Sequence, residues 1–178
     1  MHNNGEKMTP TEKGTVVHSI LQHADFEGLS KNILSQVDEV VSHGFITESQ
    51  KKGINISMIE NFVSSDIFKR ALLSHRVEKE RKFLVKISDL GLKGEQFAAY
   101  EDTGCMIQGI IDMYFEEDGE IVLVDYKTDN VSQVSFLAEN YSTQLTLYKA
   151  ALEKMENKRV KQTIIYSLKL GKWVEVNV

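Results

Sequence analysis

The chain has 178 residues, of which 42% are hydrophobic and 26% are charged, a composition typical of a globular protein with one hydrophobic core. Its net charge of −5 argues against nucleic-acid binding by bulk electrostatic attraction, but not against an enzyme that meets phosphates through metal ions. The single cysteine, Cys105, excludes a disulfide framework and a cysteine-ligated iron–sulfur cluster, and we expect it to pack as a small strand residue. No glycine-rich nucleotide-binding motif is present.

The start of the chain, MHNNGEKM at positions 1–8, is polar and is predicted to be a flexible tail or the remnant of a linker. It lacks the apolar stretch of a signal peptide, and no later apolar run is long enough to span a membrane. We therefore expect a cytoplasmic protein in which residues 9–178 form a single domain.

The first half of the chain is predicted to be a helical cover. Thr9, Pro10 and Glu12 form a capping box that begins a helix with an apolar stripe, in which His18 is embedded. A lone histidine on such a helix is more often packed or solvated than a metal ligand. Further helices are predicted over residues 30–42, from the capping box at 47–50 to residue 63, and from 64 or 65 to 73.

Residues 77–88, VEKERKFLVKIS, alternate between charged and apolar side chains and predict a strand. Glu80 lies near a functional site if this strand borders the hairpin that follows, whereas the alternative is a solvated charged face. Residues 90–102 form a polar connection whose pattern favours neither helix nor strand.

The segment QGIIDMYFEEDGEIVLVDYKTD at 108–129 predicts a β-hairpin, because two runs of β-branched and aromatic residues flank a tight Asp118–Gly119 turn. This turn places Asp112 directly opposite Asp125. Lys127 follows Asp125 by two positions, so its side chain leaves the strand on the same face.

Facing carboxylates on adjacent strands destabilise each other, and the apolar residues on either side of Asp125 raise the cost of an unpaired charge. A divalent cation held by Asp112 and Asp125 removes that cost, and Mg²⁺ or Mn²⁺ prefers such oxygen ligands. The alternative is a surface hairpin whose acids face water and whose Lys127 pairs with one of them. The facing acids, the Asp-x-Lys spacing and the apolar flanks together favour the metal site.

After the hairpin, residues 135–156 predict a long helix with an apolar stripe near 3.6-residue periodicity, on which Gln144 and Tyr148 share one face. By themselves these two residues are typical of a core and its rim. Strands are predicted over 160–168 and 173–176. Because a strand after a crossover helix normally pairs parallel, the sequence predicts an α/β fold with an αβββαβ core and a mixed sheet covered by helices.

Four ordered motifs resemble those of the RecB-like branch of the PD-(D/E)xK nuclease superfamily, which has a restriction-endonuclease-like fold. They are GTVVHSIL at 14–21, QGIIDMYF at 108–115, IVLVDYKTD at 121–129 and YSTQLTLYKAAL at 141–152. The likeness is greatest to the C-terminal nuclease domains of AddA-type helicase–nucleases, because TPTEKGTVVH at 9–18 resembles the entry into those domains. The absence of cluster-binding cysteines fits AddA-type domains and disfavours AddB-type relatives.

The resemblance implies a role for each site residue. His18, Asp112 and Asp125 would bind Mg²⁺ or Mn²⁺, and Lys127 would act with the two aspartates in catalysis. A further helical pair, Gln144 and Tyr148, would position DNA. Glu80 resembles an additional acid of the family, although the neighbouring proline expected there is missing.

The resemblance also implies a function. The domain would be a metal-dependent deoxyribonuclease that cuts single-stranded DNA emerging from an ATP-driven helicase motor, specifically the 3′-ended strand, during processing of double-strand breaks for recombinational repair. Covalently linked helicase domains and an AddB-like partner would complete the enzyme, and this domain itself would bind neither nucleotide nor an iron–sulfur cluster. The alternatives are a non-catalytic RecB-like domain that guides DNA or binds a partner protein, and a stand-alone RecB-like nuclease.

Overall fold

The computed structural model describes residues 8–100 and 104–178. The predicted tail therefore lies outside the described residues except for Met8, as does the end of the polar connection. Contacts between Cα atoms divide the chain into two compact units, Met1–Leu72 and Leu73–Val178.

The helices and strands have the following bounds: α1 Pro10–His23, α2 Phe26–Lys31, α3 Ile33–Ser42, α4 Glu48–Gly53, α5 Ser57–Val63, α6 Asp66–Leu73, β1 Val77–Lys86, a 3₁₀ turn Ile87–Leu90, α7 Glu95–Ala98, β2 Met106–Glu117, β3 Glu120–Lys127, α8 Ser135–Glu156, β4 Val160–Ser167 and β5 Lys172–Glu175.

The first unit is helical, as predicted, but its helices are shorter than the sequence pattern suggested. The capping box of Thr9 and Glu12 begins α1, with both reciprocal hydrogen bonds present. The helix predicted over 30–42 begins only at Ile33, because Asn32 has an extended backbone and its side chain accepts a hydrogen bond from the Ser35 amide. The helix predicted from 47 to 63 is divided into α4 and α5 just after Gly53.

The second unit contains a five-stranded sheet in the order β1-β2-β3-β4-β5. All neighbouring strands are antiparallel except β3 and β4, which are parallel and are connected through α8. This arrangement confirms the predicted mixed sheet and the αβββαβ order. Apolar side chains of α8, including Leu137, Leu145 and Leu152, are fully buried in one core with residues of the sheet.

The register of the β2–β3 hairpin is confirmed from the Glu117–Glu120 pair to the Met113–Val124 pair. The ladder ends there, one step before Asp112 and Asp125. From this point β3 continues in parallel pairing with β4 as far as Lys127, while β2 continues alongside β1. Strands β2 and β3 therefore separate at the position of Asp112 and Asp125.

Strands β1 and β2 are irregular at the same level. Lys79 pairs with Met113 and Arg81 with Ile111, so Glu80 lies opposite Asp112. Glu80 has a backbone φ of 51°, in the left-handed region that non-glycine residues rarely adopt. Ile111 and Tyr114 belong to the same buried core, although strict alternation would place them on opposite faces. The sheet thus changes its side-chain alternation next to Asp112, and such irregularities are enriched beside functional sites.

Two local features complete the fold. Cys105, which we expected to pack within a strand, is instead exposed and lies one residue before β2.

Among the helices of residues 8–100 and 104–178, none has the length and hydropathy that a bilayer crossing requires.

Candidate active site

Asp125 and Lys127 lie two residues apart on β3, and their side chains meet on one face of the sheet. The Lys127 Nζ atom is 2.7 Å from the Asp125 Oδ2 atom. Only 3% of the Asp125 side chain and 14% of the Lys127 side chain are exposed, so this ion pair is screened little by water. Burial alone lowers the pKa of Lys127, but the Asp125 carboxylate outweighs it and holds that pKa above its usual value. Lys127 is therefore a charged ammonium at neutral pH.

Helix α8 covers this ion pair with polar side chains. Gln144 contacts both partners: its Oε1 accepts a hydrogen bond from Lys127 at 3.4 Å, and its Nε2 donates to Asp125 at 3.5 Å. Tyr148 lies one turn further along α8 and bonds Gln144 through its hydroxyl group. Burial raises the pKa of Tyr148, which keeps its phenol neutral.

Asp112 occupies the opening between β2 and β3. Its Oδ2 atom accepts a hydrogen bond of 2.7 Å from the backbone N–H of Tyr126, the residue between Asp125 and Lys127. The carboxylate thus takes the place of a backbone acceptor just where the strand ladder ends. Burial, followed by the negative charges of Asp112 and Glu80, raises the pKa of Tyr126 well above its usual value.

Glu80 reaches the same opening from β1. One carboxylate oxygen of Glu80 and one of Asp112 lie within 4.8 Å of each other. We refer to Glu80, Asp112, Asp125 and Lys127 as the acidic site. It belongs entirely to the second unit and consists of two pairs, Glu80 with Asp112 and Asp125 with Lys127, which are linked through the Tyr126 amide.

His18 lies on α1 in the first unit and is partly exposed. Its role as a metal ligand stays a prediction that rests on the GTVVHSIL motif.

Tyr148 is held in place by an aromatic contact with Phe83, at a point where both rings lie close to the backbone of β2. Its ring meets the Phe83 ring edge-to-face, with centroids 5.5 Å apart. Both rings lie over Gly109, where an added Cβ would come within 2.6 Å of Phe83 and 3.1 Å of Tyr148. The glycine therefore leaves room for the ring that supports Tyr148.

Tyr141 was predicted only as part of the apolar stripe of α8, yet its ring lies 4.1 Å from the Lys127 Nζ atom. Its position three residues before Gln144, on the same side of the helix, was the signal for this contact. Gly109 was missed because nothing in the sequence indicates which rings cross it.

The family of the chain follows from a comparison with protein-family models. Residues 2–174 match the model of the PD-(D/E)XK nuclease superfamily. The chain belongs to this superfamily. On β3, Asp125 and Lys127 have the (D/E)XK spacing that gives the superfamily its name.

Relatives of this PD-(D/E)XK domain include the AddA-type chains of ATP-dependent helicase/nucleases from three Clostridium species. The chain is 34% identical to the Clostridium acetobutylicum protein over 96% of this chain and 14% of the relative. It is 41% identical to the Clostridium kluyveri protein over 89% of this chain and 13% of the relative. It is 34% identical to the Clostridium botulinum protein over 97% of this chain and 14% of the relative. The match falls in the C-terminal nuclease region of these proteins. The chain therefore spans about one-seventh of the length of the relatives it matches.

The donor atoms of the acidic site suit a divalent cation. Carboxylate oxygens are the ligands that Mg²⁺ prefers, and a cation bonded to two of them at about 2.1 Å bridges oxygens roughly 4 Å apart or less. The Glu80 and Asp112 oxygens are within reach of that spacing after a small side-chain adjustment. Two carboxylates this close repel each other, and a bound cation relieves the repulsion.

Proposed function

We propose that this PD-(D/E)XK domain is a divalent-metal-dependent deoxyribonuclease that hydrolyses phosphodiester bonds of single-stranded DNA. The observation that carries the proposal is the buried Lys127–Asp125 pair at the point where β2 and β3 separate, with Asp112 directed into the same opening. A structural ion pair has no need of two further carboxylates beside it, whereas a site for a cation and a phosphate does.

Each residue of the acidic site has a role in this proposal. Asp112 and Asp125 hold Mg²⁺ or Mn²⁺, Glu80 is an additional acid beside them, and His18 supplies a nitrogen ligand as the family resemblance implies. The ion, when bound, supplies Lewis acidity that polarises the phosphate and activates water.

The remaining side chains act on the substrate directly. Lys127 stabilises negative charge on the phosphate or orients the attacking water, because its ammonium group is fixed and charged at neutral pH. Gln144 and Tyr148 position the DNA strand, the first by hydrogen bonding and the second by stacking its ring against a base.

The names of the relatives suggest the wider context of this activity. Because they belong to an ATP-dependent helicase/nuclease, we propose that helicase domains are covalently linked to this domain in a longer protein and that an AddB-like partner completes the enzyme. The motor would deliver single-stranded DNA, specifically the 3′-ended strand, for cutting in the cytoplasm during double-strand-break repair. Delivery by a motor agrees with the net charge of −5, which gives the domain little bulk attraction for DNA.

The test is cleavage of labelled single-stranded DNA by the purified chain with Mn²⁺ or Mg²⁺. We expect wild-type protein to cut and Asp125→Asn to lose cleavage by about a hundredfold or more, with a circular dichroism spectrum like that of the wild type. Full activity of Asp125→Asn, in a preparation free of contaminating nuclease, would contradict the assignment.

Calorimetric titration with Mn²⁺ separates this function from that of a non-catalytic domain. A catalytic site binds Mn²⁺ in the wild type and binds it more weakly in Asp112→Asn, which keeps the side-chain shape and an acceptor for the Tyr126 amide. A domain that only guides DNA or docks on a partner protein shows the same weak metal binding in both proteins.

A further inference from the structure

The outer face of the β1–β2 ribbon, opposite the face that packs on α8, is uncovered by the described residues of the second unit and has an unusual composition. Three cross-strand pairs, Lys82–Ile110, Leu84–Gln108 and Lys86–Met106, form this face. All six side chains are exposed, including 64% of Leu84, 54% of Met106 and 41% of Ile110. The alternate residues Phe83 and Val85 are buried beneath them.

The two lysines of this outer face are available to an anion. Both are exposed, and among the residues described neither Lys82 nor Lys86 makes an ion pair. Spaced cations interleaved with apolar side chains match a single nucleic-acid strand, which presents phosphates on one side and unstacked bases on the other.

Along β1 and β2, the outer face ends next to Glu80 and Asp112, the two carboxylates of the acidic site that these strands carry. Lys82 follows Glu80 by two residues, and Ile110 precedes Asp112 by two, a distance of about 7 Å along a strand. We propose that this face is a binding surface for single-stranded DNA, on which Lys82 and Lys86 contact phosphates and Leu84, Met106 and Ile110 contact bases or sugars. The inference rests on the proposed nuclease function, because it describes how substrate reaches that site.

The test is the affinity for fluorescent oligothymidine, measured by anisotropy at several salt concentrations with EDTA present so that no cleavage occurs. Each phosphate contact with a single strand contributes about 0.7 to the slope of log K against log salt, so the double variant Lys82→Gln, Lys86→Gln should lose about 1.4. Ile110→Ser should weaken binding without changing the slope. Lys172→Gln, an exposed lysine on β5 at the opposite edge of the sheet, is the matched control.

An unchanged slope in the double lysine variant overturns this proposal. Because binding is measured without metal, the result is independent of catalysis. Wild-type protein that binds with the expected slope but never cuts would contradict the nuclease proposal alone.

A second inference concerns Lys127 and comes from a different contact. The ammonium group lies near the Asp125 carboxylate at 2.7 Å, the Gln144 amide at 3.4 Å and the face of the Tyr141 ring at 4.1 Å. Tyr141 is itself held, because its hydroxyl group donates a 3.0 Å hydrogen bond to Asp129. The ring is thus fixed at one turn of α8 before Gln144.

In the proposed mechanism the oxygens of Asp125 have two binding partners that compete for them, because Asp125 pairs with Lys127 and also binds a metal ion. A lysine on a flexible four-carbon chain moves when its carboxylate partner turns elsewhere, whereas a cation–π contact is unaffected by that competition. We infer that Tyr141 is a positioning residue that keeps the Lys127 ammonium group in the site during the reaction. This inference also rests on the proposed function, but its structural part does not.

Two variants of Tyr141 separate its ring from its hydroxyl group. Tyr141→Phe keeps the ring, and Tyr141→Leu removes it while preserving an apolar side chain. In the proton NMR spectrum of the metal-free protein, the ε-methylene protons of Lys127 should be shifted upfield by the ring in the wild type and in Tyr141→Phe, and should return towards the free-lysine position in Tyr141→Leu. In cleavage assays, kcat should fall about 5- to 30-fold in Tyr141→Leu and at most a few-fold in Tyr141→Phe, with similar KM.

Two results would overturn the role of Tyr141. One is a Lys127 signal that is the same in all three proteins, which means that no ring contact exists. The other is equal loss of kcat in both variants, which assigns the effect to the hydroxyl group and Asp129. The NMR result stands whether or not the domain proves to be a nuclease.

Discussion

Strand β2 contributes residues to two groups of polar and charged side chains. The two groups differ in how their charges are balanced. The first is the acidic site around Asp112. The second, which we call the charge cluster, consists of Arg76, Tyr114, Glu116, Glu156 and Lys158. Each contains a buried carboxylate, Asp125 in the first and Glu116 in the second, whose charge must be balanced within the protein.

The charge cluster is balanced by its own residues. Glu116 contacts Lys158 at 2.6 Å and Arg76 at 3.0 Å, and Arg76 also contacts Glu156 at 2.8 Å. The Tyr114 hydroxyl group accepts a hydrogen bond from Arg76 and donates one to Glu156. At the margin of the cluster, Glu78 contacts Arg76 at 3.3 Å and Arg81 contacts Glu156 at 3.7 Å, so three carboxylates meet three cations. The network connects β2 to the end of α8.

The acidic site has three carboxylates for one lysine, and its strands diverge where those of the charge cluster remain paired. A structural cluster is complete when it is neutral and fully hydrogen-bonded. A metal-binding cluster keeps an excess of negative charge because a bound cation would supply the positive charge. Variants in the two groups should therefore behave differently, because the charge cluster is balanced by its own residues and the acidic site is not.

The largest effect is expected for Lys127→Met, which removes the cation of the acidic site but keeps most of the side-chain volume. Loss of one electrostatic contact to the reacting phosphate should lower kcat by about 10²–10³-fold. It also leaves Asp125 buried without its ammonium partner, at a cost of about 3 kcal/mol in the metal-free protein. Differential scanning calorimetry should therefore show that Mn²⁺ stabilises the variant more than the wild type. Equal stabilisation of both proteins would mean that the ion does not neutralise Asp125.

The counterpart in the charge cluster is Glu116→Gln, which should affect stability rather than catalysis. Removing this buried carboxylate should lower the free energy of unfolding by about 2 kcal/mol, less than for fully buried partners because about a third of Arg76 and of Lys158 is exposed. Urea titration measures this loss, and kcat at low temperature should change less than about twofold. Glu120→Gln breaks an exposed pair with Arg159 and should cost less than about 1 kcal/mol. A large loss of kcat in Glu116→Gln would remove the distinction between the two groups.

Gly109→Ala tests how the site is supported from β2. The added methyl group would overlap Phe83 and push it towards Tyr148, so we expect a loss of about 1–3 kcal/mol in unfolding free energy and a raised KM for DNA. Gly104→Ala is the control, since no atom of the described residues lies within 4 Å of its Cβ position. Equal behaviour of the two variants would show that the rings move aside freely.

The smallest expected effect is the change of stability with pH that the carboxylates of the charge cluster cause in acid. Hydrogen bonding to Lys158 lowers the pKa of Glu116, and although burial acts to raise the pKa of Glu156, bonds from Tyr114 and Arg76 lower it overall. A carboxylate with a lowered pKa in the folded protein stabilises the fold above its unfolded value of 4.5, and this stability is lost as the pH falls through the folded pKa. The unfolding free energy should therefore decline below pH 4.5, with a shallower slope in Glu116→Gln. Identical slopes would contradict the lowered pKa.

Much of the second unit follows directly from local sequence patterns. The Asp118–Gly119 turn fixes the hairpin register because such a turn permits few alternatives, and both residues have the positive φ values it requires. The stripe of α8 predicts its bounds, Ser135–Glu156, because an amphipathic helix of this length has no competing pattern. In the first unit, Asn32 interrupts a good apolar stripe, since its side chain satisfies the amide of Ser35 better than a continued helix does.

What the sequence does not contain is the separation of β2 and β3 at the acidic site. The expected register continued to Asp112 and Asp125, but β3 follows β4 instead, and this competition involves residues some 40 positions away. The left-handed backbone of Glu80 could not be predicted either, because it occurs at a break in the pairing with β2 that no local sequence pattern indicates. The charge cluster was missed for the same reason, since Arg76 and Glu156 meet only after the whole sheet has formed.

The hydrogen bond from the Tyr126 amide to Asp112 has a consequence for how such a domain changes over time. Because that carboxylate replaces a missing strand contact, position 112 is needed by the backbone even when no chemistry takes place there. A descendant that lost its activity would gain little by discarding the polar side chain, and asparagine would serve it almost as well. Degenerate copies of this domain should therefore keep an acid or amide at position 112 of β2.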